Sequence, residues 1–245
     1  MREYDFFLCY TDGKDYERLF HMQKKIYRAN IILFICAIAC LISYDILGGL
    51  WLKGFTSFWF VLLGLVNVIY AWKKDRKISG VVILIELGLV CGMCADVLLA
   101  THFILGILFF ATGHVLYLIA FYNIEKFCRR DVWIILPIAV ISLIIVTGNP
   151  YISIEDPLMK KLLVGYAVII ACMLGKAISN ITIQKSTFRW LILLGSVMFW
   201  FSDFMLAIDM FGTPSRLTWI LCSYNYWPAQ NILALSLFFY TSKEL

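Results

Sequence analysis

The sequence predicts an all-α, polytopic membrane bundle of eight transmembrane helices, and three observations carry that prediction. Hydrophobic residues make up 62% of the 245 and charged residues only 15%, which leaves too little polar surface for a soluble domain of this length. The apolar residues gather into eight stretches close to the roughly 17–25 residues that a spanning helix needs. The connections between them leave no room for a separate soluble domain. Residues 1–28 mix acids and bases without an apolar core, so they read as a short cytoplasmic or interfacial tail, not a cleavable signal peptide, and 29–245 as the transmembrane domain.

The first stretch, about 31–50, ends near Asp45, which reads as reaching the interface. The second covers about 55–72 and the third about 80–100. The third holds Glu86 near one end and Asp96 towards the other. The fourth, about 103–122, spaces Phe110, His114, Tyr117 and Phe121 along one helical face. The fifth covers about 131–148. The sixth, about 158–179, carries Lys176, which reads as pairing with Glu86 or snorkelling to the interface. The seventh, about 188–208, holds Asp203. The eighth, about 219–240, sets Tyr224, Asn225, Gln230 and Asn231 around Pro228, a proline that removes a backbone N–H and frees the carbonyl of Tyr224. A polar cavity lining accounts for that composition. Asp209, Trp51, Trp59 and Trp219 read as interfacial.

Lys and Arg orient the bundle. Sixteen fall in the tail, in the connections after the second, fourth and sixth stretches, and after the eighth; four (Lys53, Lys160, Lys161, Arg216) fall on the opposite side. That bias places both termini in the cytoplasm of a multi-pass protein, in a bacterial cell membrane or the endoplasmic reticulum. The net charge of +5 follows from it, and no basic run interleaved with aromatics suggests a nucleic-acid partner. The eight cysteines lie mostly inside helices, so a disulfide framework is not expected; Cys91 and Cys94 read as small packing residues.

Asp96 and Asp203 are the most informative residues. A carboxylate inside a membrane helix costs roughly 2.5–3.5 kcal/mol on insertion scales, so function is its default explanation. Their surroundings repeat: Gly88, Val90, Asp96, Leu99 and Ala100 recur at identical spacing as Gly195, Val197, Asp203, Leu206 and Ala207. Four spans separate the two helices, which suggests a parallel duplication of a four-helix unit. Gly88, Gly92 and Asp96 fall on one stripe, and small residues there permit close helix approach, turning Asp96 inward. Gly195, Phe199 and Asp203 repeat the stripe, so both carboxyls are expected at one depth, facing one shared pocket. No metal constellation, GxSxG elbow, Walker loop or dinucleotide fingerprint is present, so neither a metal nor a cofactor is expected. Hydrolysis would have to use carboxylates.

Ala95, Asp96 and Leu98 to Ala100, then Phe110, His114, Tyr117 and Phe121, then Met173, then Ser202, Asp203, Leu206 and Ala207, then Tyr226 and Gln230 stand in the order of the YhhN family. The chain resembles that family over roughly 80–240. It departs where Ile78, not proline, follows Lys77, and where Cys94 and Ala95 precede Asp96. The resemblance implies an eight-helix membrane hydrolase of the lysoplasmalogenase kind, cleaving the sn-1 vinyl ether of a lysophospholipid to a fatty aldehyde and a glycerophospho-head group. It implies acid/base work by Asp96 and Asp203, with His114 and Tyr117 orienting a carboxyl or water. Tyr224, Gln230, Asn231 and Ser202 are then expected to contact substrate. Partners would be the lysophospholipid and membrane lipids; the oligomeric state is not legible. Paired carboxylates in parallel repeats also suit a proton-coupled transporter or a lipid- or small-molecule-binding membrane protein. Tyr44 and Asp45 mimic half of an intramembrane aspartyl protease signature, but the Asp96 motif lacks the other half.

Overall fold

The computed structural model describes residues 13–150 and 152–242, with side chains from residue 17; the first twelve residues of the expected tail, Cys9 and Lys243 lie outside them. Eight helices follow one another: α1 Gly13–Leu47, α2 Leu50–Asp75, α3 Gly80–Thr101, α4 Phe103–Ile124, α5 Arg129–Gly148, α6 Pro157–Ile183, α7 Thr187–Phe211 and α8 Arg216–Ser242. Their boundaries are set by local chemistry. Ser79 caps α3 through Val81 N–H, Asp156 caps α6 through Leu158 N–H ahead of Pro157, and Ser186 caps α7 through Arg189 N–H. Arg76 closes α2 in the left-handed conformation, φ 53°.

Seven of the eight are long and apolar enough to cross a membrane. The eighth, α8, has 27 residues but a more polar composition. Its position explains this: α8 packs on α1, α2, α3 and α7, so Ser223, Gln230, Asn231 and Ser236 are buried against protein, not lipid. Pro228 sits inside α8 without ending it.

The neighbour relations repeat after four helices. α1 packs on α2 as α5 does on α6; α2 on α3 as α6 on α7; α3 on α4 as α7 on α8; and α2 on α8 as α6 on α4. The expected parallel duplication is therefore present as packing. Depth agrees with it, since Asp96 and Asp203 each lie sixteen residues after the first residue of their helices. The halves differ in how α8 and α4 are covered. In the first, the backbones of both α1 and α3 pack on α8; in the second, the backbones of α5 and α7 stay off α4, which meets α7 through side chains such as His114. The space left open beside α4 becomes a cleft.

Close approach uses the small residues of the stripes. A Cβ added at Gly88 would collide with the Tyr117 ring, and one at Gly195 would lie 2.9 Å from Leu233. The expected Glu86–Lys176 pair does not form, because α3 and α6 are not neighbours. Lys176 Nζ instead bonds Asp131 Oδ2 at 3.0 Å, with both side chains fully buried, and reaches the Lys126 carbonyl at 3.2 Å. Glu86 lies over Gly64 of α2, its Oε2 buried without a hydrogen-bond partner. The helix-pair equivalent of the Asp131–Lys176 contact is neutral: Asn30 of α1 and Asn67 of α2 exchange amide hydrogen bonds at 2.9 and 3.0 Å. Asn30 and Asp131 each stand seventeen residues before the ends of their helices.

Candidate active site

Each aspartate is held by one side chain from each of two flanking helices, and the helices are repeat equivalents. Asp96 Oδ2 accepts from Ser57 Oγ of α2 at 2.5 Å and from Tyr226 OH of α8 at 2.7 Å. Asp203 Oδ2 accepts from Tyr166 OH of α6 and lies 3.2 Å from His114 Nε2 of α4. Since α2 matches α6 and α8 matches α4, these are two versions of one arrangement. Tyr117 OH of α4 donates to Gln230 Oε1 of α8 at 2.7 Å, joining the halves where the matched helices face each other.

The two versions have different surroundings. Asp96 is 2% exposed and sealed. Ser57 Oγ accepts from the Trp227 indole N–H at 3.1 Å, and Tyr44 stacks edge-on between Trp219 and Trp227, with centroids at 5.7 and 5.3 Å. Asp203 keeps 10% of its side chain exposed and lines a cleft between α4, α5, α6 and α7, to which α3 adds Leu99. The rest of that lining is almost wholly apolar; Asp203, Tyr166 and Ser142 are its polar members apart from the Trp200 indole.

His114 is fully buried. Its Nε2 also lies 2.8 Å from Tyr166 O, so a proton on that nitrogen bridges phenol and carboxylate. Nδ1 faces Met173 Sδ at 3.4 Å, a weak partner. Phe199, one turn before Asp203, stands edge-on to the imidazole with centroids 4.4 Å apart. This packing fixes the ring, and the three groups form one carboxylate–imidazole–phenol cluster that can hold and pass a proton.

The expectation that Asp96 and Asp203 meet across one pocket is corrected. They share neither a hydrogen bond nor the cleft wall, because α3 and α7 are not neighbours. Contact between them passes through rings: Tyr226, bonded to Asp96, packs on Phe199 at 5.3 Å, and Phe199 packs on His114. The remaining expected site residues divide accordingly. Gln230 belongs to the Asp96 network, with Nε2 3.5 Å from Tyr226 OH. Asn231 donates to the Trp227 carbonyl at 2.8 Å and leaves its buried Oδ1 without a partner. Ser202 donates to the Phe199 carbonyl at 2.7 Å and lies 3.4 Å from Asp203 Oδ1. Tyr224 stands apart, with its OH 3.3 Å from Asp45, which also binds Arg216 and Trp219. Asp45 is thus the centre of a cluster at the far ends of α1 and α8, opposite the C terminus.

Sequence reading missed Tyr166, Ser57 and Trp227. A Tyr or Ser on an apolar helix reads as packing, so nothing marked them singly. The repeat was the available signal: once Asp96 and Asp203 are matched, their flanking helices should each present a donor at similar depth.

The sequence model of the YhhN family matches residues 54–237. No curated protein and no solved structure matches the chain.

Proposed function

From its membership of the YhhN family, to which this chain belongs, we propose that it is a membrane-embedded hydrolase that cleaves the vinyl ether of lysoplasmalogens. The observation that carries this reading is the Asp203–His114–Tyr166 cluster on the wall of an otherwise apolar, half-open cleft. A single-chain lipid supplies an apolar tail for such a cleft and an acid-labile bond close to its polar head.

The chemistry follows from the bond. A proton from the cluster is delivered to the β-carbon of the vinyl ether, leaving an oxocarbenium ion stabilised by the ether oxygen. The cluster, now short of one proton, accepts one from the water that attacks the cationic carbon, as carboxylates do in glycoside hydrolysis. The resulting hemiacetal collapses to a fatty aldehyde and the glycerol hydroxyl, with no net consumption of protons. Asp203 and His114 are the catalytic residues in this scheme, and Tyr166 hydrogen-bonds the carboxylate. Asp96 acts through Tyr226, which it orients against Phe199 and so against the imidazole. Tyr117 and Gln230 hold α4 to α8 and keep His114 in place.

The test is aldehyde release from lysoplasmenylethanolamine and lysoplasmenylcholine by purified protein in detergent, beside the acyl and alkyl analogues. Turnover is expected without any ion gradient, and Asp203→Asn and His114→Ala should each lower kcat by about 10²–10⁴-fold while eluting as folded protein. Wild-type turnover in Asp203→Asn would sink the reading. Absence of turnover, with gradient-dependent uptake in vesicles, would favour a transporter.

A further inference from the structure

The lining of the cleft runs along α7 from Phe211 to Trp200, and we infer that Trp200 is the residue that stops the lipid tail and so sets which chain lengths the site accepts. This rests on the lipid hydrolase reading above. Ordered along their helices, the lining residues begin at Phe103, Val146, Leu163 and Phe211, at the ends of α4, α5, α6 and α7 away from the C terminus. They finish at Phe110, Ser142, Ile170 and Trp200. At about 1.5 Å per residue, Trp200 to Phe211 is about 16 Å of α7, and Asp203 stands only ~4–5 Å above Trp200. A lipid whose head lies towards Phe103 and Phe211 and whose reacting bond lies at Asp203 therefore has about one helical turn of cleft left for its tail.

What closes that turn is a tethered ring. The Trp200 indole N–H donates to Ser142 Oγ at 2.9 Å, across from α7 to α5. Ser142 in turn donates to the Ile138 carbonyl at 2.8 Å, which leaves an oxygen lone pair aimed at the indole. Ser142 is 4% exposed, so breaking the bond strands a buried hydroxyl acceptor and the ring cannot swing aside freely. Around this bond the wall is thin: α5 packs along α6, touches α7 sparsely and does not touch α4. Trp200 is thus a bulky stop, held by one side-chain bond, in a wall with little else to hold a tail back.

The experiment compares kcat/KM for lysoplasmenyl lipids with tails of four, eight and sixteen carbons in wild type, Trp200→Ala, Trp200→Phe and Ser142→Ala. Wild type should favour the shorter tails. Trp200→Ala should raise the long-to-short ratio by at least about fivefold, and Ser142→Ala, which keeps the ring but frees it, should move the ratio the same way by less. Equal ratios in all four proteins would overturn the proposal, and Trp200→Phe and Ser142→Ala carry the test if Trp200→Ala does not fold. Binding of non-hydrolysable alkyl lysolipids of the same lengths is measured in parallel. Wild type inactive on every lipid, with a binding length profile that shifts in the variants, would overturn the hydrolase reading and leave the role of Trp200 standing; an unshifted binding profile would overturn that role as well.

Discussion

Removing one charge of the Asp131–Lys176 pair and then both gives a sharp test of how the second repeat is held. Lys176 Nζ has the Asp131 carboxylate at 3.0 Å, the Lys126 carbonyl at 3.2 Å and the Tyr122 ring at 4.5 Å. Asp131 has Lys176 and also Ser179 Oγ, the Cys128 N–H at 3.0 Å and Cys128 Sγ at 3.3 Å. Breaking a buried pair from one side costs about 3–5 kcal/mol, because the surviving charge is left in a low-dielectric site. Lys176→Met leaves a carboxylate with three donors and belongs near the lower figure. Asp131→Asn leaves an ammonium with neutral acceptors and a ring and belongs near the upper. For a chain of this size about 2–4 °C accompanies each kcal/mol, so the singles should lower the melting temperature in detergent by ~6–20 °C. The double variant removes both charges, as the Asn30–Asn67 pair of the first repeat does, and should be more stable than either single. A double variant as unstable as the sum of its parents would refute the argument, because it would show that the charges do not depend on each other.

Two further outcomes follow from the same geometry. Tyr166→Phe removes a hydrogen bond to the Asp203 carboxylate, a loss of about 1.5–3 kcal/mol, and should lower the melting temperature by ~3–12 °C and kcat about 10–100-fold; thermal unfolding and steady-state kinetics on the vinyl ether lipid check it. Gly88→Ala sets a methyl against the fully buried Tyr117 ring and should cost about 1–3 kcal/mol by overpacking. Thermal unfolding measures that cost, and Tyr117→Leu in the same chain should recover part of it.

Most of the helix plan was legible because lipid punishes any unsatisfied backbone, so apolar length and flanking charge mark each span. The third stretch, read as 80–100, is Gly80–Thr101, and the seventh, read as 188–208, is Thr187–Phe211. The candidate site was legible in part. His114 and Asp203 do meet, and Tyr117 and Gln230 do bond. The reading that joined Asp96 directly to Asp203 failed because matched helices in a duplication lie on opposite sides of the repeat axis, with α4 and α8 between them.

By itself, then, the sequence determined the eight helices, their alternation and the two acidic stripes, since each depends only on residues within one helical segment and on its solvent. The tertiary structure alone decided which stripe opens onto space. The two aspartates share a stripe of matched residues and are each held from two repeat-equivalent helices, yet the backbones of α1 and α3 close over α8 in one half while those of α5 and α7 stand off α4 in the other. That difference is a property of helix-to-helix packing over long separations in the chain, where no local pattern of residues records it.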